Sequence, residues 1–128
     1  MGGVVALRVA LAHPGRIRRL VLVATSGGID TAALGAGEWG ETYRAAYPAA
    51  AAWTTADRPD LTETLPAVAA PALLLFGDAD PIAPVTVGEQ LRELLPAARL
   101  HVLAGGAHDL AVERADEVAR LIAGHLAY

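Results

Sequence analysis

Two uninterrupted apolar runs of strand length, Leu20-Val21-Leu22-Val23-Ala24 and Ala72-Leu73-Leu74-Leu75-Phe76, constrain this chain more than any other feature. A strand with one face in water alternates apolar and polar residues. A run with no polar position needs cover on both faces, as parallel strands between layers of helix have. The flanking segments supply such helices. Residues 1 to 13 space Val4, Leu7 and Leu11 helically, with Val5 and Val9 making the opposite face apolar too, before Pro14-Gly15 stops the helix. Val87, Leu91, Leu94 and Leu95 form an amphipathic helix with Glu89, Gln90, Arg92 and Glu93 outside. Leu100 and Val102 alternate with Arg99 and His101, as on an edge strand. A last helix puts Ala115, Val118, Ala119, Ile122 and Leu126 on one face and Glu113, Arg114, Glu117 and Arg120 in solvent. The order helix, strand, irregular segment, strand, helix, strand, helix reads as α/β with about three parallel strands and flanking helices.

Between the two apolar runs, residues 29–70 lose this regularity. Trp39, Tyr43 and Tyr47 recur every fourth residue, and Pro48, an alanine run and Pro59 break the segment into short pieces. These aromatics and Trp53 are expected to form the segment's own core, with the lining of a substrate pocket as the sharper alternative.

Length and composition narrow the classes. A chain of 128 residues, 54% of them hydrophobic, suits one domain spanning residues 1–128 and excludes a disordered chain. With no cysteine, disulfides, thiolate metal sites and cysteine nucleophiles are excluded. A net charge of −4 with no basic stripe argues against nucleic acid as a partner. No apolar run reaches the ~20 residues of a membrane span, so no membrane partner is expected. Met1-Gly2-Gly3-Val4 lacks the basic stretch of a secretory signal, so a cytoplasmic location is expected.

Chemistry is expected where parallel strands end, because open α/β sheets bind ligands beyond the carboxyl ends of their strands. Two successive strand ends carry Asp80, in Gly77-Asp78-Ala79-Asp80-Pro81, and His108, in Gly105-Gly106-Ala107-His108. An ionised carboxylate bonded to one ring nitrogen fixes the imidazole tautomer and stabilises the imidazolium formed during proton transfer. His13, His101 and His125 read as helix-end or surface residues, and no histidine pair has metal-site spacing, so no metal is expected.

These same segments resemble the α/β-hydrolase superfamily. Residues 71–81 look like its seventh strand and acid loop, and residues 100–108 like its eighth strand and histidine loop. Residues 20–24 resemble its sixth strand, and residues 1–13 the helix that follows its nucleophile. The resemblance implies a partial α/β-hydrolase fold in which residues 29–70 form a short lid. It implies Asp80 as the triad acid and His108 as the triad base in a parent enzyme that hydrolyses ester-like bonds of a small-molecule substrate without a cofactor. The superfamily's nucleophile lies in a Gly-x-Ser-x-Gly elbow, and Met1-Gly2-Gly3 matches the piece immediately after that serine. The elbow would then lie outside these residues, with the backbone of Met1 as one oxyanion donor, and the chain would be a truncated enzyme, inactive alone. Ser26, in Ala24-Thr25-Ser26-Gly27-Gly28, follows a strand but precedes a poor helix, and reads as a turn residue. The rival reading is a non-catalytic remnant or interaction module. Leu20–Ala24 would keep an unpaired edge, and the apolar face of Val4, Val5, Leu7, Val9 and Leu11 would lie uncovered. Self-association, or pairing with a missing N-terminal half, is therefore expected.

Overall fold

A computed structural model describes residues 1–127. Three parallel strands, β1 (Leu20–Val23), β2 (Ala72–Gly77) and β3 (Ala98–Leu103), form one sheet in that order, flanked by helices as a partial α/β-hydrolase fold. The register pairs Leu20 with Ala72 and Ala72 with Ala98, so the three strands begin level and end level. The helices are α1 (Gly2–Ala12), α2 (Gly40–Ala46), α3 (Val85–Leu94), α4 (Leu110–Glu113) and α5 (Ala115–Leu126).

The second apolar run is covered on both faces as its composition demands, whereas in β1 Leu20 and Leu22 are buried and Val21 and Val23 only half-buried. Every residue of β2 is buried, because successive side chains enter opposite cores. Leu20, Leu22, Leu74 and Phe76 face α1, α3 and the lid, whereas Leu73, Leu75 and Leu103 face Leu110 of α4 and Val118 of α5. Gly88 lets α3 press on the sheet, since a Cβ there would overlap Phe76 and Leu100.

The helix faces differ from expectation at both ends of the chain. In α1, Val4, Leu7 and Ala10 are buried while Val5 and Val9 stay exposed. The face of Val4 and Leu7 is not left open, because Leu61, Leu65 and Val68 of the lid share its core. In α5 the inward stripe is Val118, Leu121, Ile122 and His125, at i, i+3, i+4 and i+7, rather than the stripe through Ala115, Ala119 and Leu126. His125 is 3% exposed and is no surface residue.

Residues 29–70 cross the carboxyl ends of the strands as α2 and three short 3₁₀ turns. Backbone bonds from Leu61 N–H to the Gly28 carbonyl (2.9 Å) and from Gly37 N–H to the Pro81 carbonyl (2.8 Å) pin the segment down. Trp39, Tyr43 and Tyr47 do stack along α2, with ring centroids 5.6 and 4.9 Å apart. They are not the segment's core, because its buried apolar side chains are Ile29, Leu61, Leu65 and Val68, and Tyr47 and Trp53 are exposed. Alanine and proline around them leave no second apolar layer under which the rings would be covered. Among the described residues, no helix is long and apolar enough to cross a membrane.

Candidate active site

Glycine brings the two strand-end loops together. A Cβ on Gly77, the last residue of β2, would overlap the backbone of Gly106, so only glycine lets the loops after β2 and β3 touch. The sheet ladder then continues into them: Ala79 N–H donates to the Gly106 carbonyl at 3.0 Å, and Asp78 N–H to the Leu103 carbonyl at 3.3 Å. Gly105 turns the chain with φ +70°, and its N–H donates to Asp78 Oδ1 at 2.7 Å. Asp78 is thereby a loop staple, with its carboxylate on Gly105.

Asp80 is the carboxylate that meets the histidine. Its Oδ1 accepts the N–H groups of Ile82 (2.8 Å) and Ala83 (3.0 Å), and its Oδ2 lies 2.9 Å from His108 Nδ1. The carboxylate side chain is fully buried and the imidazole is 39% exposed. A carboxylate held by two backbone donors cannot rotate away, so it fixes the ring plane of His108. An ionised carboxylate can only accept, so Nδ1 is the nitrogen that donates to it and Nε2 takes no part in that bond.

His108 opens on a groove of about 390 Å³ bounded by Gly2 and Gly3 of α1, Val21 and Val23 of β1, and Val112 of α4. Gly3 is needed there, because a Cβ would overlap the Thr25 side chain, so the first turn of α1 rests on the end of β1. The first N–H groups of any helix lack intrahelical partners and carry the positive end of its dipole, and those of α1 border this groove. Burial, and after it the Arg58 charge, lower the Met1 ammonium below its ordinary range.

At the same corner Ala24 has φ +45°, a left-handed conformation that L residues rarely hold. This bend turns Thr25 inward, where its Oγ1 accepts Gly27 N–H at 3.1 Å, and turns Ser26 outward. Ser26 is exposed, its Oγ accepts Gly28 N–H at 3.4 Å, and it does not line the groove of His108. The structure thus brings Asp80, His108 and Met1 to one corner and leaves Ser26 outside it. The strained Ala24 had no signature in the sequence, where Ala-Thr-Ser-Gly-Gly reads as an ordinary turn. Among the described residues no group of three or more histidines and carboxylates is placed to hold a metal ion.

Comparison with known proteins places this corner in context. A fold match with 24% identity (TM-score 0.73) joins 94% of this chain to 55% of MGS-MChE2, an α/β-hydrolase enzyme from lagoon-sediment metagenome of Mar Chica, Morocco. A thermophilic esterase from Thermogutta terrifontis matches at 25% identity and TM-score 0.73, over 94% of this chain and 60% of that one. The 2-hydroxy-6-oxo-6-phenylhexa-2,4-dienoate hydrolase of Rhodococcus sp. strain RHA1 matches at 17% identity and TM-score 0.73, over 100% of this chain and 62% of that one. This chain therefore spans 55 to 62% of the length of these proteins. No curated protein matches it. The profile of the TAP-like protein family, a branch of the α/β-hydrolases, matches residues 36–128 and so takes in both strand-end loops, and the chain belongs to that family.

Proposed function

We propose that this chain carries the acid and the base of a Ser-His-Asp hydrolase acting on ester-like bonds, and that the nucleophile comes from residues outside these 128. The observation that carries the reading is the 2.9 Å contact of His108 Nδ1 with an Asp80 carboxylate already held by two backbone donors. A surface histidine with no task needs no such orientation. A serine hydroxyl seated in the groove would give its proton to Nε2 as its oxygen attacks the substrate carbonyl. His108 would then return that proton to the leaving group while Asp80 stabilises the imidazolium. Once Met1 is joined to the nucleophile-bearing segment its nitrogen is a backbone N–H, and at the positive end of α1 it is the proposed donor to the oxyanion.

The groove and the free edge of β1 are the proposed seat of the nucleophile-bearing segment. Val112 lines the groove at 80% exposure, Val5 and Val9 of α1 are 49 and 42% exposed, and β1 ends the sheet with an edge that is a template for pairing. In the absence of that segment a second copy of the chain is the proposed occupant. Light scattering that finds only monomer at high concentration would remove this part of the reading. The interaction-module alternative is favoured by one observation, that no serine lines the groove of His108.

The deciding experiment supplies an N-terminal segment ending in Gly-x-Ser, fused or in trans, and follows p-nitrophenyl acetate hydrolysis. The expected outcome is turnover that falls about 10⁴-fold in Asp80→Asn and about 10⁶-fold in His108→Ala. The chain alone is expected to match its own His108→Ala variant. Binding of the segment without turnover would favour the interaction module, and turnover by the chain alone that Ser26→Ala abolishes would overturn both readings.

A further inference from the structure

A second space, an open cleft of about 420 Å³, is lined by Ser26 and Gly28 of the turn after β1, by Arg44, Arg58 and Trp39 of the lid, and by Val4 and Ile29. Arg44 and Arg58 both border it, and neither is ion-paired with another described residue. The ion pairs among the described residues are His108–Asp80 and Arg114–Glu117. Arg44 Nη1 donates to Thr55 Oγ1 at 3.0 Å, and Arg58 Nη2 donates to the carbonyls of Trp53 (2.7 Å) and Thr54 (3.4 Å). A guanidinium has five N–H donors, so these bonds hold both groups in place and leave donors over on each. Glu38 and Asp57 also reach this wall, but neither pairs with an arginine, and Glu38 Oε1 is taken by Gly40 N–H at 2.6 Å.

We propose that this lid cavity binds the carboxylate of a small organic acid, with Arg44 and Arg58 as its donors. Anchored guanidiniums with spare donors suit a planar oxyanion, since charge-assisted bonds are the stronger kind and little side-chain freedom is lost on binding. The two wall carboxylates offset the arginine pair, so a singly charged anion fits where a dianion such as phosphate meets repulsion. Val4, Ile29 and the Trp39 ring offer a short apolar stretch beside the arginines, enough for a small alkyl tail. Thr25 borders the His108 groove and Ser26 borders this cavity, so one turn separates the two spaces. A hydrolase substrate lying across the turn would keep its carboxylate under the lid and its scissile carbonyl beside His108. That last link rests on the function proposed above, whereas carboxylate binding does not.

Trp53→Phe leaves Trp39 as the one tryptophan, and its fluorescence reads the cavity directly. At constant ionic strength, butyrate is expected to give a saturable change, and butyramide, its uncharged counterpart, none over the same range. Arg44→Gln is expected to weaken butyrate at least about tenfold, with Arg44→Lys intermediate because the charge stays while the planar fork goes. Arg58→Gln is expected to do the same, with circular dichroism to check that the turn it braces survives. His108→Ala is expected to leave binding unchanged, so failure of the catalytic reading leaves this result standing. Equal responses to butyrate and butyramide, tighter binding of inorganic phosphate, indifference to Arg44→Gln, or loss of binding in His108→Ala would each overturn the proposal.

Discussion

Residues 72–109 and residues 29–70 both arrive at the carboxyl end of the sheet, and they hold their side chains by different means. The first region stitches its loops with sheet register and backbone bonds, down to Ala79 N–H on the Gly106 carbonyl, and fixes Asp80 with three bonds. The lid has no strand pairing, and its arginines are braced by two adjacent carbonyls, under Arg58, and a threonine hydroxyl, under Arg44. A group that must keep one orientation through proton transfer needs the first kind of support. A binding wall needs only donors in reach, so it tolerates the second.

Glycine substitution breaks this comparison most sharply. Gly77→Ala places a methyl against the Gly106 backbone, which has no flexible side chain to yield, so a loss of at least about 3 kcal/mol is expected. Gly35 of the lid has φ +85° and open space around it, so Gly35→Ala carries only the left-handed backbone cost of about 1 kcal/mol. Urea titration of both variants checks the pair. Equal losses would mean that the two loops after β2 and β3 do not depend on close backbone contact.

The lid's hold on the body is the next test. Leu65 is fully buried in the core shared with α1, so Leu65→Ala is expected to cost about 3 kcal/mol. Tyr47→Ala, at a ring that is 60% exposed and stacked only on Tyr43, is expected to cost less than about 1 kcal/mol. If thermal melts reverse that order, the lid is held by its aromatic stripe after all.

That pair also marks where the sequence was legible. Leu20–Ala24 and Ala72–Phe76 announced covered parallel strands because an unbroken apolar run has few other stable places. Asp80 and His108 were readable because parallel topology carries consecutive strand ends to one side, and the observed register brings their side chains into contact. Gly77 and Gly106 were not readable as a contact, since a glycine against glycine has no periodicity to betray it. The lid misled because aromatics usually mark a core, whereas here aliphatic Leu61, Leu65 and Val68 fill it. The lid arginines were silent for a related reason: spacing along an irregular segment does not reveal which side chains share a cavity.

A small effect of the opposite, stabilising sign is expected on α5, and there two histidines invite comparison. His108 is half open and its Nδ1 is bonded to a carboxylate, while His125 is buried on α5 with neither ring nitrogen paired among the described residues. A buried polar atom that loses its water and finds no partner costs about 1–3 kcal/mol, and an apolar side chain of similar size removes that cost. His125 continues the Val118, Leu121 and Ile122 stripe, so a leucine there lies on the helix face already turned to the core. His125→Leu is therefore expected to stabilise the chain by about 1 kcal/mol, a few degrees in Tm for a domain of this size. A fall in Tm would show instead that the imidazole is needed where it lies, and that the pairing rule so well kept around Asp80 is kept around α5 as well.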